Sequence, residues 1–106
     1  MENINKGEIL KLKDVISYEK DTIVKLPLIV KDSLRVMIMA FDEGKELTPH
    51  SAPGDALLFA LEGNAYVYVD GKEMKIHEGE QIVFPKDITH NVKSITKFKM
   101  FLVMSK

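Results

Sequence analysis

Histidine is the residue type in this sequence with the widest chemistry, and it occurs three times, as His50, His77 and His90. The chain has no cysteine, so disulfides, thiolate zinc sites, iron–sulfur clusters and thiol nucleophiles are excluded. Imidazole nitrogen and carboxylate oxygen are the main metal ligands that remain. The histidines are therefore the first candidates for a functional site.

His50 and His90 both lie near prolines, whereas His77 does not. Residues 48–55 read Thr-Pro-His-Ser-Ala-Pro-Gly-Asp, and two prolines and a glycine predict a loop because they cannot continue a central strand. His77 alternates with apolar neighbours, which predicts an outward-pointing surface side chain. We expect His77 to lie on the outside of the fold, whereas the loop either exposes His50 or directs it toward a particular site.

Two imidazoles alone bind a divalent ion weakly, because catalytic zinc sites usually have three protein ligands and structural sites four. The carboxylate nearest in sequence is Asp55, but strand alternation places it on the outward face. Glu46 and Glu62 lie at predicted turns and are expected to face water. The third ligand stays unidentified, and we expect a divalent metal (Zn, Mn, Fe or Ni) at the two histidines with low occupancy.

Other chemistries receive no support from the sequence. Ser51 adjoins His50, yet adjacent extended residues point apart and no oxyanion hole is visible, so serine hydrolysis is disfavoured. The glycines lack the spacing that cradles the phosphates of ATP or NAD. Lys and Arg number 15 against 16 Asp and Glu, for a net charge of −1. This balance provides no basic field for nucleic acid.

Two further side-chain groups have alternative interpretations. Tyr66 and Tyr68 share one face of a predicted strand, where they either line a pocket or pack in the core or an interface. Met37 and Met39 lie on one face of another strand and belong to a set of six methionines. Methionine more often fills irregular gaps in a core than binds a soft metal.

Apolar residues recur at period two and turn residues interrupt them every eight to twelve positions, which predicts an all-β fold. Asp70-Gly71 predicts a type I′ hairpin turn. Helical spacing is confined to residues 9–17, which predicts a short helix or an extended arm. Strands are expected at residues 22–30, 34–41, 56–61, 65–69, 74–77, 81–84, 92–95 and 98–104. The first of these is expected to be an edge strand or an interrupted strand because it contains Pro27.

The length of 106 residues predicts one domain, 1–106, with an N-terminal arm over 1–30 and a barrel over 34–104. No apolar run approaches the roughly 18 residues of a membrane span. The N-terminal residues Met-Glu-Asn-Ile-Asn-Lys lack a signal-peptide pattern. We expect a cytoplasmic protein without membrane contact.

Glycine, proline and histidine recur in two segments with a spacing that resembles the two motifs of the cupin superfamily. The resemblance covers about residues 34–104 and implies a cupin-like β-barrel, also called a double-stranded jelly roll. The first segment contains Gly44, His50, Ala52, Ala56 and Gly63, and the second contains Gly79, Pro85, Lys86, Asp87 and His90.

The sequence departs from the family pattern at the metal ligands. In cupins the first motif supplies two histidines and a glutamate and the second supplies another histidine, all pointing into the barrel. His50 and His90 match the first and last of these ligands, so the resemblance implies that they face one cavity, with His77 outside it. Ala52 and Ala56 stand at the other two positions, so the resemblance implies a pocket with less charge and more space. In the second motif, Asp87 and Ser94 replace a glycine and an asparagine.

These replacements favour a small-molecule-binding cupin barrel with a weakly held divalent metal at His50 and His90. Its pocket would include Ala52, Ala56, Tyr66 and Tyr68, and its partner would be a small organic ligand. The alternative is a metal-dependent cupin enzyme of the oxygenase, isomerase or decarboxylase type, acting on a small organic substrate. A structural dimer with a decayed pocket is the third interpretation. Fold analogy does not choose among them.

We also expect a homodimer. Residues 7–30 are rich in apolar side chains, and Pro27 favours an edge strand. An exposed apolar edge invites aggregation unless it is paired, and a twofold partner can pair it. The expectation is that residues 7–30 pack on the partner's sheet.

Overall fold

Eight antiparallel strands and one turn of 3-10 helix account for the regular structure. The computed structural model describes residues 1–106. The 3-10 turn covers Leu12–Asp14. The strands are β1 (Ile23–Val30), β2 (Leu34–Phe41), β3 (Asp55–Glu62), β4 (Ala65–Val69), β5 (Lys72–Ile76), β6 (Gln81–Phe84), β7 (His90–Ser94) and β8 (Phe98–Ser105).

The strands form two sheets. The larger sheet has the order β1-β2-β8-β3-β6 and the smaller has the order β5-β4-β7. All pairings are antiparallel, and the two inner faces share one core. The all-β, double-sheet prediction is therefore confirmed.

The main core lies between the sheets because side chains alternate along each strand. On β3, Ala56, Leu58 and Ala60 are buried while the residues between them face outward. Phe41 and Phe98 close one end of this core with an edge-to-face contact at 5.7 Å between ring centroids. The opposite end of the sandwich contains the histidines described below.

The N-terminal segment covers the outer face of the larger sheet. Ile16 is buried there, in a second core that includes Leu28, Val36 and Ile38. The helix considered for residues 9–17 does not form beyond the 3-10 turn, since two turns of isolated helix are marginal and the apolar side chains pack on the sheet instead. In the single chain, this segment packs on its own sheet.

Two polar contacts fasten that segment. The Lys99 Nζ donates a hydrogen bond to the Lys13 carbonyl at 2.6 Å. The Tyr18 hydroxyl donates to Glu62 at 2.7 Å, and burial, followed by this carboxylate, raises the pKa of Tyr18. β1 lies at the edge of its sheet with an irregularity between Pro27 and Ile29, as the proline predicts.

Turn geometry follows the sequence closely. Asp70 and Gly71 both have positive φ, 51° and 79°, as a type I′ turn requires. At Gly63 (φ 77°) a Cβ would collide with the Lys97 carbonyl oxygen, so glycine is needed there on two grounds. The chain contains no helix with the length and hydropathy needed to cross a membrane.

Candidate functional site

A cavity of about 850 Å³ lies between the two sheets at the end remote from Phe41 and Phe98 and extends along β1 and β2. The larger sheet contributes apolar side chains to one wall. The loop over residues 45–53 forms the facing wall and runs beside β7 as an irregular further strand, with bridges at Glu46 to Lys93 and at His50 to His90.

The structure brings His50 and His90 together in this cavity. Their backbones exchange two hydrogen bonds, at 3.0 Å from the His50 amide and 2.8 Å from the His90 amide. Their ring centroids are 4.5 Å apart at an interplanar angle of 64°. The loop and the start of β7 therefore place two imidazoles side by side at one end of the cavity.

Backbone carbonyls orient both rings. The Nδ1 atom of His50 lies 2.9 Å from the Thr48 carbonyl oxygen, and that of His90 lies 3.2 Å from the Ile88 carbonyl oxygen. A carbonyl oxygen only accepts, so each Nδ1 carries the hydrogen and each neutral ring keeps its lone pair on Nε2. Metal-binding histidines commonly have this arrangement.

The ring of His90 is held in a dry environment by Phe84. The two rings are stacked, with centroids 4.2 Å apart and an interplanar angle of 1°. Burial, and to a smaller extent the neighbouring His50, lowers the pKa of His90, while the hydrogen bond to Ile88 acts in the opposite direction. The imidazole of His90 is thus neutral at pH 7 and its Nε2 is available as a ligand or acceptor.

The side chains around the histidine pair offer few further metal ligands. No third His, Asp or Glu joins the two histidines. Asp55 is exposed on the outward face and accepts a hydrogen bond from the Lys86 amide at 2.8 Å. Glu62 does not face water as expected, because the N-terminal segment half-buries it and the Tyr18 hydroxyl donates a hydrogen bond to it. The residues present fit a weak, two-imidazole site and do not fit a firmly held ion.

Glu46 is exposed, as expected for a residue that faces water. It lies at the rim of the cavity, and its Oε1 accepts a hydrogen bond from the Asn91 side-chain amide at 2.9 Å. The segment after Gly44 continues alongside β7 and pairs Glu46 with the exposed residue Lys93. Glu46 also lies four residues before His50, too far along the extended segment to complete the imidazole pair.

The remaining pocket residues of the sequence hypothesis separate into two groups. Ala52 and Ala56 line the cavity. Tyr66 and Tyr68 lie on β4 and are not among the lining residues, because Val67 and the other inward residues of that strand take the core face. The Tyr68 hydroxyl donates to Glu73 at 3.0 Å on the outside.

His77 lies on the surface, where its Nδ1 is 2.9 Å from Glu80.

Sequence reasoning missed the stacking ring of Phe84 and the charged lining residue Arg35. The alternation of β6 and β2 was the signal available for both. The methionines were interpreted as core fillers or, less often, soft-metal ligands, and four of them line the cavity: Met37, Met39, Met100 and Met104.

Comparison with known proteins gives a consistent result. The family model described as Cupin domain matches residues 37–105, which includes both histidines. No curated protein matches this chain.

Solved structures extend the match to nearly the whole chain. A conserved protein of unknown function from Streptococcus pyogenes is 32% identical, with a TM-score of 0.96 over 98% of this chain and 91% of that one. A cupin 2 conserved barrel domain protein from Leptotrichia buccalis is 42% identical, with a TM-score of 0.88 over 92% of this chain but only 47% of its own. A cupin superfamily protein from Desulfitobacterium hafniense shares the fold at 19% identity, with a TM-score of 0.92 over 97% of this chain and 94% of that one. The family match, the double-sheet architecture and the two histidines at the motif positions together show that this chain belongs to the cupins.

Proposed function

We propose that this protein binds a small organic molecule in the cavity between its sheets. The observation that carries the proposal is an open cavity of about 850 Å³ with two oriented imidazoles at one end. Ligand sites in proteins commonly measure about 300 to 1,000 Å³, with apolar walls and a few polar groups that fix orientation. Here the methionines that line the cavity provide an apolar wall, and His50 and His90 provide the polar groups.

A divalent metal ion is the second element of the proposal. Zn, Mn, Fe or Ni would be held by the Nε2 atoms of His50 and His90, with its other positions filled by water or by the organic ligand. When bound, such an ion would supply a Lewis-acid contact for an oxygen or nitrogen atom of the ligand. The two side chains offer their lone pairs without needing to change tautomer, and this supports the assignment.

A screen of small molecules against cavity-filling variants tests the proposal. Ala56→Leu places a larger side chain in the cavity, and Ala52→Leu does so at a less buried position where folding is easier to preserve. Leu57→Met, on the outward face of the same strand, is the matched control. Ligand-observed NMR should detect binders to the parent and to the control.

We expect those binders to lose affinity for both cavity-filling variants, provided circular dichroism shows the variants to be folded. Binders that remain unaffected by folded Ala52→Leu and Ala56→Leu would place the binding surface elsewhere. A library that yields no binder to the parent at millimolar concentration would also overturn the proposal.

The metal-dependent enzyme is the alternative from another class. It requires a firmly held ion or a poised acid–base pair, whereas a binding protein requires neither. The metal measurement described in the Discussion therefore separates the two.

A further inference from the structure

We infer that the cavity selects organic anions, with Arg35 binding a carboxylate while the rest of the same molecule reaches the histidine pair. The inference rests on the proposed function and adds the chemical class of the ligand. It starts from the position of one charged side chain relative to the histidines.

Arg35 lies in the cross-strand row that ends under His90. The register across the larger sheet pairs Arg35 with Met104, Met104 with Ala56, and Ala56 with Phe84. Phe84 in turn stacks on His90. Strands are about 4.8 Å apart, so the row spans roughly 14 Å between its two ends.

The row has a cation at one end, imidazoles at the other and apolar surface between them. The intervening residues, Met104 and Ala56, both line the cavity. The long arginine side chain covers part of the distance. The remaining distance between the guanidinium and the histidines matches the length of a small organic acid. The hydrocarbon part of that acid would contact Met104 and Ala56.

No side chain in the structure neutralises Arg35. The two salt bridges of the molecule involve other residues, and no hydrogen bond engages the guanidinium group. The nearest acidic residue in sequence, Asp32, pairs with Lys106 at 3.4 Å. Arg35 is exposed, so its guanidinium lies at the open end of the row, beside apolar surface. An unpaired guanidinium in this position is suited to a carboxylate, because its planar fork donates two parallel hydrogen bonds.

The other charged lining residues lie toward the opposite end of the cavity. Asp21 donates its amide hydrogen to Asp42, just beyond the end of β2, which is about 20 Å along the strand from Arg35. Lys25 faces Met39, four residues from Arg35 along β2. Lys45 and Glu46 adjoin the end of β7 opposite His90. The cross-strand row that leads to the histidines therefore contains a single charged group, Arg35, and it is positive.

Matched pairs of acids and amides test this inference. The probes are benzoate and benzamide, succinate and succinamide, and hexanoate and hexanamide, titrated into the parent, Arg35→Gln and Arg35→Lys. Lys93→Gln removes one positive charge from the exposed side of β7 and serves as the control for net charge. Protein-observed NMR titration gives each affinity.

We expect at least one acid to bind the parent more tightly than its amide, and Arg35→Gln to weaken that acid about 10-fold to 100-fold, the usual contribution of a charge-assisted hydrogen-bonded pair. The amide should be unaffected by Arg35→Gln, Arg35→Lys should retain part of the preference, and Lys93→Gln should retain all of it.

Acids and amides that bind the parent equally well, or an acid preference that survives Arg35→Gln, would overturn the inference and leave the proposed small-molecule site intact. Binding of neither acids nor amides at millimolar concentration would overturn both. A loss in Lys93→Gln equal to that in Arg35→Gln would show that net charge, not Arg35, sets the preference.

Discussion

At the scale of single residues, backbone contacts determine what His50 and His90 can do. Each Nδ1 is engaged by a carbonyl oxygen, so each Nε2 is directed away from its own backbone as a ready ligand. Phe84 adds a stacked apolar surface on one side of His90. Two oriented imidazoles can contact a metal ion or an organic ligand, but they are fewer than the three or four protein ligands that usually hold a zinc ion.

The first prediction follows from this ligand count. Protein purified without added metal should contain less than one divalent ion per chain, and a mild chelator or protonation of the histidines near pH 5 to 6 should remove it. Elemental analysis of the parent, His50→Ala and the surface control His77→Ala checks this. One tightly held ion per chain that survives His50→Ala would show that other ligands hold it and would favour the enzyme alternative.

The second prediction concerns the stability of the chelator-treated protein. Burial lowers the pKa of His90 in the folded state below its unfolded value of about 6.5. The unfolded chain then binds more protons in the interval between these two values, so stability is full above about pH 6.5 and is lost as the pH falls through that interval. Urea unfolding at pH 7.5 and pH 5.5 should show this loss.

His90→Gln should show a smaller loss over the same interval than the parent, while exposed His77→Gln should resemble the parent. An unchanged pH dependence in His90→Gln would mean that another group is responsible.

Much of this site could be predicted from the sequence, and the failures have physical reasons. The motif spacing indicated His50 and His90 because loop and strand lengths between glycines and prolines are fixed by the fold. Tyr66 and Tyr68 were included for their hydroxyls, although the alternation on β4 turns them outward. Arg35 was missed because it is exposed, as charged residues at the start of a strand usually are, and only the register across the sheet shows that it adjoins the cavity.

At the scale of elements, the sequence predicted the strands better than it predicted the N-terminal segment. β2 and β4 have the predicted bounds, because turn residues flank both strands: Asp32-Ser33 and Asp42-Glu43-Gly44 flank β2, and Gly63-Asn64 and Asp70-Gly71 flank β4. The N-terminal segment has helical spacing but too few residues to form a helix alone. Its conformation depends on the sheet beneath it, which local sequence does not encode.

The third prediction tests the contribution of this segment. Ile16 is 5% exposed in the outer core whereas Ile9 is fully exposed. Ile16→Ala should lower the free energy of unfolding by about 2 to 5 kcal/mol, the usual range for a buried isoleucine, and Ile9→Ala should change it by less than about 0.5 kcal/mol. Urea denaturation of both variants provides the comparison. Equal stabilities would show that the segment does not pack on the sheet in solution.

At the scale of the whole molecule, apolar surface remains uncovered. Leu57, Phe59 and Val83 are 38%, 40% and 52% exposed, and the register places Leu57 directly opposite Val83 on the outer face of β3 and β6. The N-terminal segment covers the other part of the same sheet. Contiguous exposed apolar residues commonly mark an interface.

We propose that a second copy of the chain covers this surface, which gives a homodimer and is the fourth prediction. Light scattering at micromolar concentration should give twice the chain mass of 12.0 kDa. Phe59→Glu should shift the mass toward the monomer, because it places a charge in the contact, while Glu73→Gln on the exposed face of β5 should not. A monomeric mass for the parent would contradict the proposal.

Binding of small molecules between the sheets, beside the histidine pair, can be observed by methyl-detected NMR of the protein labelled at alanine, leucine and methionine and titrated with the tightest binder from the screen. We expect shifts at Ala52, Ala56 and Met104 that saturate together, with Leu57 on the outer face unchanged. Shifts confined to Leu57 and its outer-face neighbours, with Ala52 and Ala56 unmoved, would contradict it.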